Sequence, residues 1–256
     1  MANLKYLEYK EKDNYEFDSD LGNFVTFIGK SNKKILDSLM LKGNNAFISI
    51  DNVELNKKSY DKIKKNVSFV LNSHLNTFIG ETVNDEISFG LESLSINRDS
   101  MRSIILSRTE EFKISKLMNK DPNSLGSSDK AKIKIVSALV CSPRILVLDN
   151  ILDEFDSYDR KLVVRALREF VDRDNIVLNF TSNIEETLYG DEVIVTDVEK
   201  IVMDGKTLSV LNEEKIMKRL GIFLPFIVEL NKYLMDYGII KKYELNMEKL
   251  VNIIWK

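Results

Sequence analysis

The sequence predicts an α/β fold with a largely parallel sheet, and three observations support this. Segments with the composition of strands alternate along the chain with segments of helical periodicity. The apolar run Ile145–Leu148 leads directly into Asp149, which is typical of a buried parallel strand that presents an acid at its C-terminal edge. The run "NFVTFIG" (Asn23–Gly29) ends in glycine and precedes a helical pattern. A chain of 256 residues is long enough for one large domain with a small appendage.

Local patterns predict the elements of the first half. Residues 4–10 alternate apolar and polar side chains, which indicates an edge strand. Residues 34–43 have apolar side chains at helical spacing and end in Gly43, so we expect a helix that stops there. The segment "NVSFVLN" (66–72) predicts another strand. Residues 83–118 are mainly helical in pattern, with a break near "SLSINRDS".

The second half continues the alternation. Residues 127–143 read as a capped helix that Pro143 ends, and residues 157–173 predict a further helix. The segment "NIVLNFT" (175–181) predicts a strand, and "EVIVTD" with "KIVMDGKTLSVL" predicts a closing strand and a hairpin. From about residue 213 onward the pattern is helical, and we expect an appended unit there.

Composition excludes several classes of protein. A net charge of -3 and an isoelectric point near 5.5 give no electrostatic reason to expect a nucleic-acid partner. The single cysteine, Cys141, cannot form an internal disulfide, which fits a reducing compartment and a packed thiol. No segment reaches the roughly 20 apolar residues of a membrane span, and the N-terminus lacks a signal-peptide pattern. We therefore expect a cytoplasmic chain that is able to dock on a membrane protein.

Two segments carry a specific family resemblance. Val67–Glu92 contains the run F-x-G-x-T-V-x-D-x-x-x-F-G at 78–90 and resembles the stretch after the second core strand in the ATP-binding cassette (ABC) subunits of energy-coupling factor (ECF) transporters. Leu220–Ile239 is similar to the C-terminal G-L-x-x-P-x-x-x-E-L segment of that family. The resemblance covers nearly the whole chain and implies a phosphate-loop hydrolase fold with a mostly parallel core sheet, an N-terminal antiparallel part and a helical subdomain. The implied parts are a nucleotide-binding domain over 1–212, with its helical subdomain at about 73–143, and a helical dimerisation-type extension over 213–256.

The phosphate loop of the family departs from its consensus in this chain. The pattern G-x-x-x-x-G-K-[ST] surrounds phosphates with backbone N–H groups, places a lysine on the β and γ oxygens, and holds Mg²⁺ with a hydroxyl. Counting from Gly29, its last three positions hold Lys34, Ile35 and Leu36; alignment of the following helix instead shortens the loop and makes Lys33 or Lys34 the lysine. Both alignments lack the second glycine and the hydroxyl, so the segment is either a weakened phosphate site or an ordinary strand-to-helix turn with solvated lysines. The resemblance places ATP contacts in this segment at Gly29, Lys30, Ser31, Asn32, Lys33 and Lys34.

The signature motif L-S-G-G-Q, which closes over ATP bound by the other subunit of an ABC dimer, is also altered. It corresponds to "LGSSD", which comprises Leu125, Gly126, Ser127, Ser128 and Asp129. Glycines allow the backbone to approach the γ-phosphate closely, and two serine side chains and a carboxylate hinder that approach. The alternative interpretation is that the serines cap the following helix.

Residues that the resemblance implies for hydrolysis depart from the family as well. Asp149 stands at the Walker B position and retains a carboxylate for Mg²⁺ or its water. Asn150 replaces the glutamate that polarises the attacking water, and an amide cannot take up a proton at neutral pH. Asn72 replaces the glutamine that senses Mg²⁺ and the membrane partner, and Ser182 replaces the switch histidine. Asp156 of the D-loop is retained.

Three further side chains, one imidazole and two phenols, are considered for the implied site. The only histidine, His74, lies in the loop after Asn72 and is interpreted as a surface residue. Tyr9, or its neighbour Tyr6, stands in the place of the aromatic that stacks on adenine, although strand packing explains either residue equally well.

The resemblance implies ATP and Mg²⁺ as cofactors, but the altered motifs make their binding by this chain doubtful. We expect a pseudo-ATPase half of a heterodimer on the cytoplasmic face of the membrane. Its partners would be a second ABC subunit, the transmembrane coupling protein and, indirectly, a substrate-binding membrane subunit of a vitamin or micronutrient importer. The alternatives are a slow ATPase with unusual residues and a regulatory cassette that has left transport.

Overall fold

The structure is a computed structural model of the chain. It describes residues 4–9, 14–19, 22–42, 46–50, 53–54, 56, 58–59, 65–72, 78–92, 96–198 and 200–255, with side chains described for most residues from Gly22 onward.

A six-stranded sheet forms the centre of the fold. Its strands are β3 (Phe24–Gly29), β6 (Val67–Leu71), β7 (Ile145–Asp149), β8 (Ile176–Thr181), β9 (Glu192–Asp197) and β10 (Lys200–Lys206). Their order is β10-β9-β3-β8-β7-β6, and neighbours pair in parallel except β10, which is antiparallel to β9. The prediction of a largely parallel sheet is therefore confirmed.

A smaller antiparallel sheet is formed near the N-terminus. Its strands are β1 (Leu4–Tyr9), β2 (Asn14–Ser19), β4 (Ala46–Ile50) and β5 (Val53–Glu54), in the order β2-β1-β4-β5. The adenine-stacking role predicted for Tyr9 or Tyr6 concerns side chains outside those described, and His74 also lies outside the described residues.

Helices cover both faces of the central sheet. They are α1 (Asn32–Leu39), α2 (Val83–Glu92), α3 (Arg98–Glu111), α4 (Ser127–Leu139), α5 (Ser157–Val171), α6 (Thr207–Leu211), α7 (Glu214–Leu220), α8 (Phe226–Asp236) and α9 (Met247–Ile254). Short 3₁₀ turns occur at 115–117, 122–124, 152–154 and 184–189. Among the described segments, none of the helices has both the length and the apolar character that a membrane crossing requires.

Alternation along the strands explains how the core is divided. In β3, Val25 and Phe27 pack with α1, whereas Phe24 joins the cluster formed with α2 to α5. Ile28 joins a third cluster, in which the C-terminal helices pack against β9. Because both sheet faces are covered, the strands appear in the sequence as continuous apolar runs rather than as alternating ones.

Several predicted elements were wrong in their bounds or placement. Helix α1 ends at Leu39 rather than at Gly43, and β1 lies between β2 and β4 rather than at an edge of its sheet. Residues 207–211 form α6 rather than a strand. The N–H of Thr207 donates to Asp191 O, and its hydroxyl donates to Gly190 O. The helix also buries Val210 and Leu211. A run of five residues fits both helical and strand periodicity, so the pattern could not distinguish a helix from a strand here. Helix α4 ends at Leu139, short of the predicted Pro143.

The apolar residues of the C-terminal segment divide between core and surface. Ile227 is buried, and Ile222, Leu230 and Leu234 pack against the third cluster. Phe223 and Phe226 are 85% and 62% exposed. Most of this stripe is therefore core of the chain itself, and the two phenylalanines remain available on its surface.

Candidate functional site

The candidate site lies where the parallel strands end. The ends of β3, β7, β8 and β9, together with the residue after β6, meet at one edge of the sheet, which is where open α/β sheets place their ligand sites. This edge collects Asn72, Asp149, Asn150 and Ser182, and also the segment after Gly29. These predicted positions are thus close in space.

Gly29 ends β3 in a conformation that requires glycine. Its φ is +125°, and a Cβ built on it would lie 2.0 Å from the carbonyl oxygen of Thr196 on β9. The chain therefore turns tightly against the neighbouring strand, and α1 begins three residues later at Asn32.

The two residues of this turn are bound to β9. The N–H of Lys30 donates to Thr196 O at 3.3 Å, and the N–H of Ser31 donates to Thr196 Oγ1 at 3.1 Å. The Ser31 hydroxyl donates to the carbonyl oxygen of Asp197. Lys30 Nζ lies 3.2 Å from Asp197 Oδ1. The N–H groups of these two residues are thus directed at the strand.

Asn32 fixes the start of α1 in the same way. Its side-chain amide donates to Phe27 O at 3.0 Å and to Thr181 O at 3.1 Å, and its oxygen accepts from Thr196 Oγ1 at 3.2 Å. Its side chain therefore joins three strands and is not available to a ligand.

The remaining positions of the phosphate loop lie on α1. Lys33 is exposed and Lys34 is half-buried. Ile35 and Leu36, which occupy the lysine and hydroxyl positions in one alignment, are buried in the core. The other alignment places Lys34 or Ile35 at the hydroxyl position, so neither provides an oxygen ligand there.

Asp149 and Asn150 form the centre of the edge. Burial raises the pKa of the Asp149 carboxyl, and the nearby charge of Asp37 acts in the same direction. A hydrogen bond of 2.9 Å from Asn150 Nδ2 and the charge of Lys33 partly oppose this. Asn150 has a φ of +48°, a left-handed conformation that asparagine tolerates better than most residues.

The acceptor oxygen of Asn150 is already in use. It accepts from the Ser182 N–H at 3.0 Å and from the Ser182 hydroxyl at 3.3 Å. On the other side, Asn72 Nδ2 donates to Asn150 O at 3.2 Å and to Glu154 Oε1 at 2.9 Å. The four positions that the family uses for hydrolysis therefore form one hydrogen-bonded network, in which polar atoms satisfy each other.

The described residues do not fit a Mg²⁺-bound triphosphate. The turn amides of Lys30 and Ser31 donate to β9, and the Lys30 ammonium is paired with Asp197. The hydroxyl position of the loop is occupied by Lys34, Ile35 or Leu36, so the loop provides no oxygen ligand for the metal. No reaction step through ATP or Mg²⁺ follows from this arrangement.

The signature segment begins α4 and is fixed to α5. Gly126 is the N-cap residue and no side chain caps the helix, so the interpretation of the serines as caps is wrong. Ser128 instead donates to Asp159 Oδ2 at 2.6 Å, and the buried Lys132 lies 2.7 Å from the same oxygen. Lys132 also lies 3.8 Å from Asp129 Oδ1.

The positive charge of Lys132 and the negative charges of Asp129 and Asp159 partly compensate one another in this cluster. Burial acts to raise the pKa of the Asp159 carboxyl, but the hydrogen bonds from Lys132 and Ser128 outweigh it and hold the pKa below its ordinary value. A glycine at position 128 would let the backbone approach a ligand closely. Ser128 instead uses its side chain for a contact within the chain. Leu125 precedes the helix and packs against the largest core cluster.

Asp156 has a structural role in the D-loop. Its carboxylate accepts from the N–H groups of Tyr158 at 2.9 Å and of Asp159 at 2.8 Å, which makes it the N-cap of α5.

Sequence reasoning missed several residues of this region. Thr196 and Asp197 end a strand next to β3, and the shared edge of parallel strands was a usable signal for them. No sequence pattern indicated the contacts of Glu154, Lys132 and Asp159, because these contacts depend on the directions of side chains that belong to separate elements.

The fold and the position of the site define an ATP-binding cassette. One similar solved structure is CbiO1 from Clostridium perfringens, titled as part of the ABC transporter complex CbiONQ, with a TM-score of 0.73, 20% identity, and coverage of 90% of this chain and 98% of that one. A bacterial ABC transporter cassette solved as a dimer gives a TM-score of 0.66 at 17% identity and covers 81% of this chain and 99% of that one.

Sequence relatives identify the family. An energy-coupling factor transporter ATP-binding protein, EcfA1, of Mesomycoplasma hyopneumoniae is 30% identical over 209 residues, which are 80% of this chain and 76% of that protein. EcfA1 of Mycoplasmopsis synoviae is 28% identical over 228 residues, or 87% of this chain and 86% of the relative. EcfA of Pediococcus pentosaceus is 27% identical over 247 residues, or 94% and 88%. A scan against models of protein families finds no match. The chain belongs to the energy-coupling factor transporter ATP-binding proteins, which confirms the predicted resemblance.

Proposed function

We propose that this chain is an ATP-binding cassette subunit of an ECF-type vitamin or micronutrient importer and serves as its pseudo-ATPase half. Its partner in a heterodimer would hydrolyse ATP, and this chain would transmit the resulting movement to the transmembrane coupling protein. Family membership supports the transport assignment.

One observation carries the pseudo-ATPase part: the turn after Gly29 is bonded to β9. A phosphate would have to replace the hydrogen bonds of two backbone N–H groups with Thr196, and the ion pair of Lys30 with Asp197. A cradle for phosphate requires N–H groups that are free to point at the ligand. This segment instead bonds its amides within the fold.

The rest of the edge supports the same proposal. Asn150 cannot act as a general base, and its oxygen is bonded to Ser182. The signature segment carries Ser128 and Asp129 where glycine and glutamine would stand, and Ser128 is bonded to Asp159. ABC dimers build each site from the phosphate loop of one subunit and the signature of the other. This chain would therefore weaken one site through its phosphate loop and the other through its signature, and the hydrolysis that we propose would take place at the second site, on the partner's phosphate loop.

Docking on the coupling protein is proposed at a groove beside Asn72. The groove has a volume of about 390 Å³ and is bordered by β6, by Phe78 and Ile79, and by α4. Ile79 is 78% exposed, which leaves an apolar side chain available to a partner helix. The second cassette subunit would contact the C-terminal helices through residues such as Phe223 and Phe226. This arrangement would place the chain peripherally on the cytoplasmic face of the membrane, with the substrate-binding subunit contacted indirectly.

The alternative within the enzyme class is a slow ATPase with unusual residues. Asp149 favours it, because a carboxylate remains at the end of β7 with the charge of Lys33 nearby. A regulatory cassette outside transport is a further alternative, and failure to recover a membrane coupling protein with the chain would favour it.

We expect the assembled module to hydrolyse ATP only through the partner. The tagged chain would be purified from native membranes together with its partners, and the module would then be rebuilt with a partner variant whose Walker B glutamate is replaced by glutamine. Phosphate release should fall to the background, a loss of about 100-fold or more, because no general base remains.

Two further variants sharpen this test. Asp149→Asn in this chain, beside an intact partner, should leave most of the hydrolysis unchanged. Residual hydrolysis with the inactive partner that disappears with Asp149→Asn would instead establish the slow-ATPase alternative.

A further inference from the structure

Glu186 is a buried carboxyl group that the candidate site does not use. It lies in the 3₁₀ turn at 184–189, directly after β8, and its side chain is fully buried. Its Oε2 accepts from Asn179 Nδ2 on β8 at 2.8 Å. A carboxyl in this position needs either a cationic partner or a proton.

Three oxygen atoms around Glu186 lack hydrogen-bond partners. They are Glu186 Oε1, Asn179 Oδ1 and Thr26 Oγ1 on β3, and each is buried. Thr26 and Asn179 are direct neighbours in the pairing of β3 with β8, so the atoms belong to one polar cluster beneath the turn. Among these three atoms only the Thr26 hydroxyl carries a hydrogen of its own, so one of the two remaining acceptors stays unsatisfied unless the carboxyl is protonated.

The charges that face this cluster do not supply an ion pair. Arg160 on α5 directs its guanidinium to the carbonyls of Leu152 and Phe155, and it acts on Glu186 only at longer range. Tyr189, at the end of the same turn, is hydrogen-bonded to Arg160; burial raises the pKa of its phenol, and the negative charge of Glu186 acts in the same direction. Asp153 in the neighbouring 3₁₀ turn disfavours a second negative charge. Among the described residues, Glu186 makes no salt bridge with lysine or arginine. Burial raises the pKa of the Glu186 carboxyl to about 7, with hydrogen bonds from Asn179 and Thr181 acting in the opposite direction.

The segment that carries Glu186 contacts two separate parts of the molecule. At its beginning, Ser182 bonds to Asn150, and Asn183 Nδ2 donates to Asp153 Oδ1 at 2.9 Å. Within the turn, Glu185 Oε1 accepts from the N–H of Phe226 at 2.8 Å, at the start of α8. Any loosening of the turn would therefore reach both the candidate site and the C-terminal helices.

We propose that Glu186 is a proton-binding site that holds residues 182–189 in place near neutral pH. With the proton on Oε1, the group donates a hydrogen bond to one of the orphaned acceptors of the cluster. Loss of the proton to water leaves an unpaired charge in the core, and the turn loosens together with its bonds to Asn150 and Phe226. The proposal is independent of whether the chain binds ATP.

The direction of the pH effect follows from linkage. The pKa is about 7 in the folded chain against 4.5 for the ordinary carboxyl, so the folded state binds more protons between these values. The contribution is present in full below pH about 4.5, decreases as pH rises, and is lost above about 7. This single group should lower the folding equilibrium constant by about 300-fold over that interval.

The test compares the wild type with Glu186→Gln and Glu185→Gln. Glutamine mimics the protonated acid, so Glu186→Gln should lack this contribution, of which about 70-fold falls between pH 5 and pH 8, in denaturant unfolding followed over that range. Glu185→Gln removes the same charge from the exposed neighbour and should keep it. Hydrogen exchange of residues 182–189 and of Phe226 should accelerate above pH 7 in the wild type and in Glu185→Gln but not in Glu186→Gln, after correction for intrinsic rates.

Equal pH dependence of the wild type and Glu186→Gln would overturn the proposal, as would unchanged exchange in the 182–189 segment. If Glu186→Gln does not fold, the carboxyl carbon of Glu186 in isotope-labelled wild type provides the decisive measurement. A titration midpoint near 7 supports the site, and a midpoint below 5.5 overturns it.

Discussion

Replacing Gly29 by alanine is expected to prevent the chain from folding. The added Cβ would lie 2.0 Å from the carbonyl oxygen of Thr196 and 2.8 Å from its carbonyl carbon, which is far inside contact distance. Both sides of this contact are backbone of paired strands, so no side chain can rotate away. The φ of +125° adds conformational strain for any residue with a Cβ. We expect a loss of more than about 4 kcal/mol, which approaches the total stability of many domains.

Gly126→Ala is the matched control for this change. Nothing lies within 4 Å of a Cβ at that position, and its φ is -69°. The expected cost is below about 1 kcal/mol, because only the preference for glycine over alanine at an N-cap is lost. Soluble expression and denaturant unfolding measure both variants. A Gly29→Ala chain as stable as the wild type would mean that β3 does not approach Thr196 as described.

Breaking the buried pair of Lys132 with Asp159 is expected to have the next largest effect. Asp159→Asn should destabilise the chain by about 3 kcal/mol, because it leaves the Lys132 ammonium in the core with only the more distant Asp129. Replacing both partners with apolar residues, as in Lys132→Met with Asp159→Leu, should cost less than the sum of the single changes.

The exposed pair of Arg165 and Glu169 provides the control. Its atoms lie 3.0 Å apart, but the two side chains are 81% and 43% exposed, so Glu169→Gln should cost less than about 0.5 kcal/mol. Urea unfolding of each variant compares the two pairs. Equal effects at the buried and exposed positions would contradict the burial of Lys132.

The sequence predicts the fold well because its strongest signals come from burial. Val25 and Phe27 pack on one sheet face and Phe24 on the other, so the strand is an apolar run in which Thr26 is the one polar residue. The edge that carries the site was also predictable, since Asp149 and Ser182 each follow such a run. Short elements were not predictable, and residues 207–211 form a helix because of contacts with Gly190 and Asp191 that no local pattern encodes.

The state of the site was only partly predictable. The altered residues Asn150 and Ser182 are visible as single departures from the family, but the hydrogen bond between them depends on the left-handed turn at Asn150. The bonds of the Gly29 turn join residues more than 160 positions apart. Sequence patterns predict which elements form, and they contain little about side-chain partners across such separations.

These contacts change the meaning of the altered motifs. Missing glycines alone would leave a weak but open phosphate site, with loose lysines around it. In the structure, the Lys30 ammonium is paired with Asp197 and Ser31 is bonded to β9, which supports the proposal that contacts within the chain occupy this turn in place of a phosphate.

Titration of the purified chain with a fluorescent ATP analogue and Mg²⁺ tests this account most directly. Because the turn after Gly29 is bonded to β9, we expect no saturable binding of the analogue, which means a dissociation constant above about 1 mM. Asp149→Asn should give the same flat titration, because the group has no nucleotide to contact. Saturable binding at micromolar concentration that unlabelled ATP displaces and Asp149→Asn weakens would contradict the account.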